Sequence, residues 1–326
     1  MAPHGTSPPS PSRPPSAPAA KRRRPRPRTG GTLRNSRGDR ITVALMLGVP
    51  AALVLGLVWL PALATVVLSF TRWDGIGGLE TVEWIGVQNY VDAFTIYPPF
   101  GPALSNNLIW LVVLFTVPTV LGMFLAVLLD RQLRGGALYQ SIFYMPVVLS
   151  LALIGFIWQL IYSRDQGLLN AFLAFAADAP PVDWFGDPDL NLYAVLVAAG
   201  WRHTGYIMLL YLAGLKAVDP TLREAAAIDG AGPVRTFTSV VFPALLPINL
   251  VVIVVTVIDA LRAFDIVWVI NRGRNGLELI SALVTQNVIG EASRVGFGSA
   301  LAVIMLLISV VFIVVYVSTM LRGASR

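Results

Sequence analysis

Residues 108–129 read LIWLVVLFTVPTVLGMFLAVLL, an apolar run without one charged side chain. A helix needs roughly 20 such residues to cross about 30 Å of hydrocarbon. Five more windows meet that test: Ile41 to Phe70, Leu138 to Tyr162, Leu192 to Leu215, Leu245 to Ile270 and Ser299 to Leu321. Backbone groups in lipid must bond within their own segment, so each window is expected to be a helix. Pro50, Pro61 and Pro118 should kink helices rather than end them, because neighbouring helices can satisfy freed carbonyls. The expected fold is an all-α membrane protein, a bundle of six transmembrane helices.

Composition points the same way, with 56% hydrophobic and 13% charged residues. Lipid is the solvent for most of this chain. The absence of cysteine excludes disulfides, thiolate metal sites and thiol nucleophiles. With His4 and His203 the only histidines, no metal site is expected. The net charge of +6 would suggest nucleic acid if it were spread over the chain. Most of it lies in residues 1–40, a tail rich in Pro, Ser, Gly and Arg, so no nucleic-acid partner is expected. Too few apolar groups occur there to offset the entropy of ordering, and the tail is read as disordered. The run Lys21-Arg22-Arg23-Arg24-Pro25-Arg26-Pro27-Arg28 suits a solvated topology signal or a contact with anionic lipid head groups. A cleavable signal peptide is not expected, since the following apolar stretch is too long.

Lysine and arginine in short loops set orientation. The basic tail should stay in the cytoplasm, and six crossings return the C-terminus there with Arg322 and Arg326. Arg131 and Arg134 then also lie inside. The opposite loops are acidic, with Asp74, Glu80, Glu83 and Asp92 in the first and Asp165, Asp178, Asp183, Asp187 and Asp189 in the second. The third outer loop, with Arg272, Arg274, Glu278, Glu291 and Arg294, is balanced. Residues 217–243 are therefore expected on the cytoplasmic face.

That segment carries its own start, turn and stop signals. Asp219 is a good N-cap and Pro220 suits the first helical position. A helix Pro220 to Asp229 then meets Gly230, suited to a left-handed C-terminal cap. Gly232 and Pro233 extend the bend before a second helix, Val234 to Val241, which Pro243 is expected to stop. Leu222, Ala225, Ala226 and Asp229 share one face of the first helix by their spacing. Glu224 and Arg223, just off that face, could cap or pair with a partner. Spacing alone leaves two readings open: a knob gripped by a soluble partner, or an amphipathic helix lying on the membrane.

The stretch Glu224-Ala225-Ala226, Gly230 and Pro243, at these separations, resembles the EAA loop of binding-protein-dependent ABC importer permeases. Val240 and Phe242 stand where the motif has Ile and Leu, replacements that keep a buried apolar face. Further stretches resemble the maltose-type, carbohydrate-uptake branch: Trp84-Ile85-Gly86-Val87-Gln88-Asn89-Tyr90, Asn106-Asn107, Pro146, Gly167-Leu168-Leu169-Asn170, Leu212-Ala213-Gly214-Leu215 and Phe264-Asp265. The resemblance spans about residues 41–322. It implies a second homologous permease subunit, two cytoplasmic ATPase subunits and an extracytoplasmic sugar-binding protein, all at the plasma (inner) membrane. It also makes the EAA loop the coupling element, with Glu224, Ala225, Ala226, Asp229, Gly230 and Pro243 its residues. No phosphate-cradling Walker loop occurs, so no cofactor is expected here and ATP should be bound by a partner. The chain is read as a transport subunit and not an enzyme.

Charges within hydrocarbon usually face a cavity or a partner. Arg202 and His203 fall in the fourth window, and Asp259, Arg262 and Asp265 in the fifth. Asp259 and Arg262, three apart, are expected to pair on one helix face. A sugar site combines hydroxyl-bonding groups with aromatic faces, which makes Asn106, Asn107, Trp201, Tyr206 and Trp268 candidates beside Asp259 and Asp265. Aromatics near span ends also serve as interface anchors. Related permeases carry a Gly-Gly-Pro-like turn where this chain has Asn271-Arg272-Gly273-Arg274-Asn275-Gly276. Its two arginines keep a phosphorylated polyol such as glycerol phosphate as an alternative cargo. A stand-alone secondary transporter would leave the EAA loop unexplained and should show internal inverted repeats, which are not evident. A membrane enzyme lacks a paired acid–base or metal cluster.

Overall fold

Two of the six apolar windows are broken, one at Leu149 and Ser150 and one between Leu261 and Asp265. A computed structural model describes residues 37–131, 134–290 and 293–324. The basic run at 21–28, Glu291 and Arg326 lie outside them, as does the tail up to residue 36. The chain divides into two units at Gly56 and Leu57. The first contributes helix α1, Arg37–Val54, which starts within the predicted tail and keeps Pro50 inside it.

In the second unit α2, Leu60–Leu68, leads into a two-residue antiparallel pairing of β1, Thr71–Arg72, with β2, Glu83–Trp84. Then follow α3, Gln88–Thr95, and α4, Phe100–Asp130. The third window forms α5, Gly136–Val148, and α6, Leu151–Ile161, and α7, Leu168–Ala177, follows. The fourth forms α8, Pro188–Ala217. Three short helices come next: α9, Pro220–Ile228; α10, Pro233–Thr236; and α11, Phe242–Ala244. The fifth window gives α12, Leu246–Leu261, and α13, Asp265–Asn271. Last are α14, Ile280–Val288, and α15, Val295–Ala324.

Pro118 behaves as expected and does not end α4. A proline there deprives the Leu114 carbonyl of its usual donor. Thr119 Oγ1 donates to that carbonyl at 3.1 Å and closes the gap. The single helix expected over Leu138 to Tyr162 is corrected to two helices bent by 101°. Pro146 weakens the end of α5, Leu149 is extended, and Ser150 Oγ accepts from Leu153 N–H at 3.2 Å to cap α6. The fifth window is likewise corrected: α12 ends at Leu261, and Ser281 Oγ donates to the Ala263 carbonyl inside the break. By length and composition Ile41–Leu68, Phe100–Asp130 and Val295–Ser318 could each cross a membrane, as could Gly136–Val148 with Leu151–Ile161, and Pro233–Ala244 with Leu246–Asn271, each taken as one bent span. Helix α8 is less apolar because of Arg202, His203 and Thr204, yet at about 45 Å it is long enough. More than half of its residues are buried, so it can tolerate polarity that a lipid-facing helix cannot.

Helix α4 packs most extensively against α8. The contact is close because Gly122 leaves room: a Cβ there would lie 2.9 Å from Ile207 Cβ and the Met208 nitrogen. Asn106, near the start of α4, and Asn191, near the start of α8, both bond the segment 274–278. Asp130 at the end of α4 and Leu215 near the end of α8 both bond Arg223. The two helices therefore run parallel, and the bent α5–α6 pair returns the chain between them. One core, around Trp110, Ile154, Val195, Val257 and Leu277, fills the end near segment 274–278. Another, around Ala126, Ile207, Met208, Tyr211 and Leu245, fills the end near α9.

Candidate functional site

The segment after α8 folds as the knob its punctuation predicts. Asp219 Oδ1 accepts from Thr221 N–H at 2.9 Å, and Pro220 occupies the first turn. That bond, with a second from the Thr221 side chain, holds the Asp219 carboxyl below its usual range. Helix α9 ends in a Schellman arrangement. Gly230 takes φ +76°, its N–H donates to the Ala227 carbonyl at 3.1 Å, and Ala231 N–H reaches Ala226 at 2.9 Å. The second helix differs from expectation. Pro243 does not stop it, because residues 237–241 form a π turn in which Phe242 N–H donates to Phe237, and Pro243 falls in the first turn of α11.

Of the coupling candidates, Ala226 is buried beneath the helix, while Glu224, Ala225, Asp229, Gly230 and Pro243 are exposed. Ile228 and Val234 are 87% and 77% exposed. Two large apolar side chains thus stand open to the surroundings on either side of the Gly230 turn. Arg223, expected to serve a partner, instead turns inward. Its Nη1 donates to Asp130 Oδ2 at 2.7 Å and its Nη2 to the Leu215 carbonyl at 3.2 Å. Asp130 lies 93 positions away, so no local pattern signals the pair.

The second candidate site is a cleft of about 150 Å³ between α4, α6, α8 and the α12–α13 break. Arg202, His203, Asp259, Arg262 and Asp265 line it. The expected Asp259–Arg262 pair does not form, because Arg262 is the residue at which α12 stops and helical stacking ends there. Asp259 Oδ2 instead faces His203 Nδ1 at 3.7 Å, and His203 Nε2 lies 3.0 Å from Thr256 Oγ1. A buried imidazole thus bridges α8 and α12.

The remaining candidates do not join this cleft. Asn106 Nδ2 donates to the Gly276 and Glu278 carbonyls, each at 3.0 Å. Asn107 Oδ1 accepts from Ile280 N–H at 2.9 Å. Both amides thus fasten the stretch at the start of α14, and the Asn107 Nδ2 is buried without a hydrogen-bond partner. Trp268 stacks on Phe264 and borders a separate cleft of about 510 Å³ with Arg272, Arg274 and Arg294. Trp201 meets Trp158 edge-on and lines an apolar groove of about 650 Å³. Tyr206 sits against the core near α9, its ring 6.4 Å from His203.

Residues 118–321 match the family described as binding-protein-dependent transport system inner membrane component, a range that includes both the knob and most of the cleft. The osmoprotective compounds uptake permease protein GgtC of Synechocystis is 35% identical over 257 residues, 77% of this chain and 88% of that protein. The xylose/arabinose import permease protein XacH of Haloferax volcanii is 31% identical over 245 residues, 74% of this chain and 76% of that one. In fold the chain resembles one from the bacterial alginate ABC transporter, crystallised in complex with an alginate pentasaccharide-bound periplasmic protein. The TM-score is 0.74 at 18% identity, over 89% of this chain and 96% of that chain. The multi-pass bundle, its exposed apolar flanks and these likenesses lead to one conclusion: this chain belongs to the family of inner-membrane permease components of ABC importers.

Proposed function

We propose that this chain is the six-span permease subunit of a carbohydrate importer, with both termini in the cytoplasm and the α9–α11 knob docked on a partner ATPase. The observation that carries the reading is the knob itself: helix α9, capped at both ends, turns at Gly230 into α10 and leaves Ile228, Val234 and Glu224 exposed. An element so punctuated suits a rigid handle. The charge pattern supports the orientation, since Arg131, Arg134, Lys216 and Arg235 lie near the knob and the acidic loops lie elsewhere.

In this reading the chain forms half of the pathway with a second permease, receives solute from an extracytoplasmic binding protein, and needs no cofactor of its own. ATP hydrolysis in two partner subunits moves the knob, and the knob moves the spans above it. The cleft at Asp259 and Asp265 offers acceptors and donors to a hydroxyl-rich solute inside the bundle. The names of XacH and of the alginate transporter support a sugar as cargo.

Replacing Glu224 with Arg, or Gly230 with a bulky charged residue, should stop uptake while leaving the binding protein's affinity for its ligand unchanged. The measurement is solute uptake into vesicles carrying the whole complex. Normal ATP-driven uptake by either variant would sink the coupling assignment.

A further inference from the structure

Arg223 occupies an unusual position for a residue of the knob. It sits where the C-terminal ends of α4 and α8 converge, next to the Asp130 carboxylate and the last-turn carbonyl of Leu215. Helix C-termini carry partial negative charge, and Asp130 adds a full one. Alone, that carboxylate at the end of α4 would be unfavourable. The guanidinium neutralises both ends at once, with its two nitrogens on two different helices.

Covalent connections join α9 to α8 through residues 218–219, and to α12 through α10 and α11. Nothing covalent joins it directly to α4. We propose that Arg223 is the positioning residue that locks the knob to the α4–α8 pair, so that displacement of α9 moves both helices together. This rests on the coupling assignment above and adds a route for the force. The pair is suited to it: the bond is short, at 2.7 Å, and Asp130 is only 16% exposed against 37% for Arg223. The tight Gly122 crossing then keeps α4 and α8 moving as one body. An ordinary surface ion pair would contribute little and would tolerate loss of either member.

The test uses the complete complex in vesicles, read by solute uptake per ATP hydrolysed. Asp130→Asn and Arg223→Gln should each lower that ratio roughly ten-fold, as expected when a coupling free energy is lost. The ATPase subunits should still co-purify, and the double variant should be no worse than either single one. The natural chain has no cysteine, which permits a second arm. The Asp130→Cys/Arg223→Cys variant should be uncoupled when reduced and regain uptake once a short bifunctional thiol reagent bridges the two positions. Unchanged uptake per ATP in the single variants, additive losses in the double variant, or a bridged pair that stays uncoupled would each overturn the lock. So would loss of the ATPase subunits from the single variants, because Arg223 would then be a docking contact. Failure of the coupling assignment reads out separately, in the Glu224 and Gly230 variants.

Discussion

The two ends of the bundle are fastened in different ways. At the end where α4 and α8 begin, side-chain amides staple the chain at many points. Asn106, Asn191 and Asn275 tie segment 274–278 to α4, to α8 and to the loop before it. Asn170 and Asn107 fasten adjacent stretches, and Gln159 holds the end of α13. At the other end α9 stands on its own caps. Among the described residues, the side-chain hydrogen bonds from α9 to the long helices both come from Arg223. Redundant fastening suits one end to a fixed frame, whereas a single two-armed link suits the other to the lever role proposed above. Variants of the stapled end should therefore cost stability first, and variants of the knob should cost coupling first.

The largest stability effect is expected from Asn170→Ala. The Asn170 amide donates to Arg164 and Val182 carbonyls at 3.0 and 2.8 Å and accepts from Val182 N–H and Trp184 Nε1. Removing it strands several partly buried groups at once, at a cost of about 3 kcal/mol. A thermal midpoint in detergent equal to that of the parent would remove Asn170 from the frame. Asn107→Leu should cost less, about 2 kcal/mol, because it orphans one buried donor, Ile280 N–H. Uptake per ATP by the protein that still folds should match the parent in both cases. A fall in that ratio would erase the distinction between frame and lever.

Much of this was legible in the residues and some of it was not. Apolar windows predict helices because lipid leaves the backbone no alternative, and all six windows are helical over most of their length. Windows three and five conceal their breaks because Ser150 and Ser281 satisfy backbone groups that would otherwise forbid an interruption in an apolar run. The knob's caps were readable because Asp219, Gly230 and Pro233 act within a few residues of themselves. Pro243 does not end the second helix as its chemistry suggests, because a π turn shifts the hydrogen-bond register before it. Asn106 and Asn107 resemble sugar ligands because an amide serves a carbonyl and a hydroxyl equally well. That residues 276–280 lie beside α4, where both amides bond them, is invisible in the sequence. The Arg223–Asp130 and His203–Thr256 contacts join distant helices, and no spacing rule reaches that far.

At the knob, smaller changes should separate conformation from contact. A Cβ at Gly230 meets no atom within 4 Å, so the left-handed φ of +76° is the one obstacle to Gly230→Ala. That strain is about 1–2 kcal/mol for a residue other than glycine. Gly230→Asn should suffer less, since asparagine visits this region more readily. Uptake should rank parent, then Asn, then Ala, with little change in thermal midpoint. Equal uptake by all three would show that the turn's geometry does not matter to transmission.

The smallest effect belongs to the cap at Asp219. Its carboxyl titrates below its usual range because Thr221 donates to the charged form. A depressed value in the folded knob means that the cap's contribution is fully present above pH 3.8, the ordinary value for this carboxyl. It is lost as the pH falls through the lower folded value. The cap is therefore intact at neutral pH and does not act as a physiological pH sensor. Asp219→Asn retains an acceptor for Thr221 N–H and should leave amide exchange in the first turn of α9 nearly unchanged at pH 7, whereas Asp219→Ala should speed it. Faster exchange in both variants would mean that the negative charge at the α9 N-terminus, and not the hydrogen bond, secures the helix start. Because the first turn of α9 also holds Arg223, fraying there should weaken the link to Asp130, so Asp219→Ala should reproduce in milder form the coupling loss expected of Arg223→Gln.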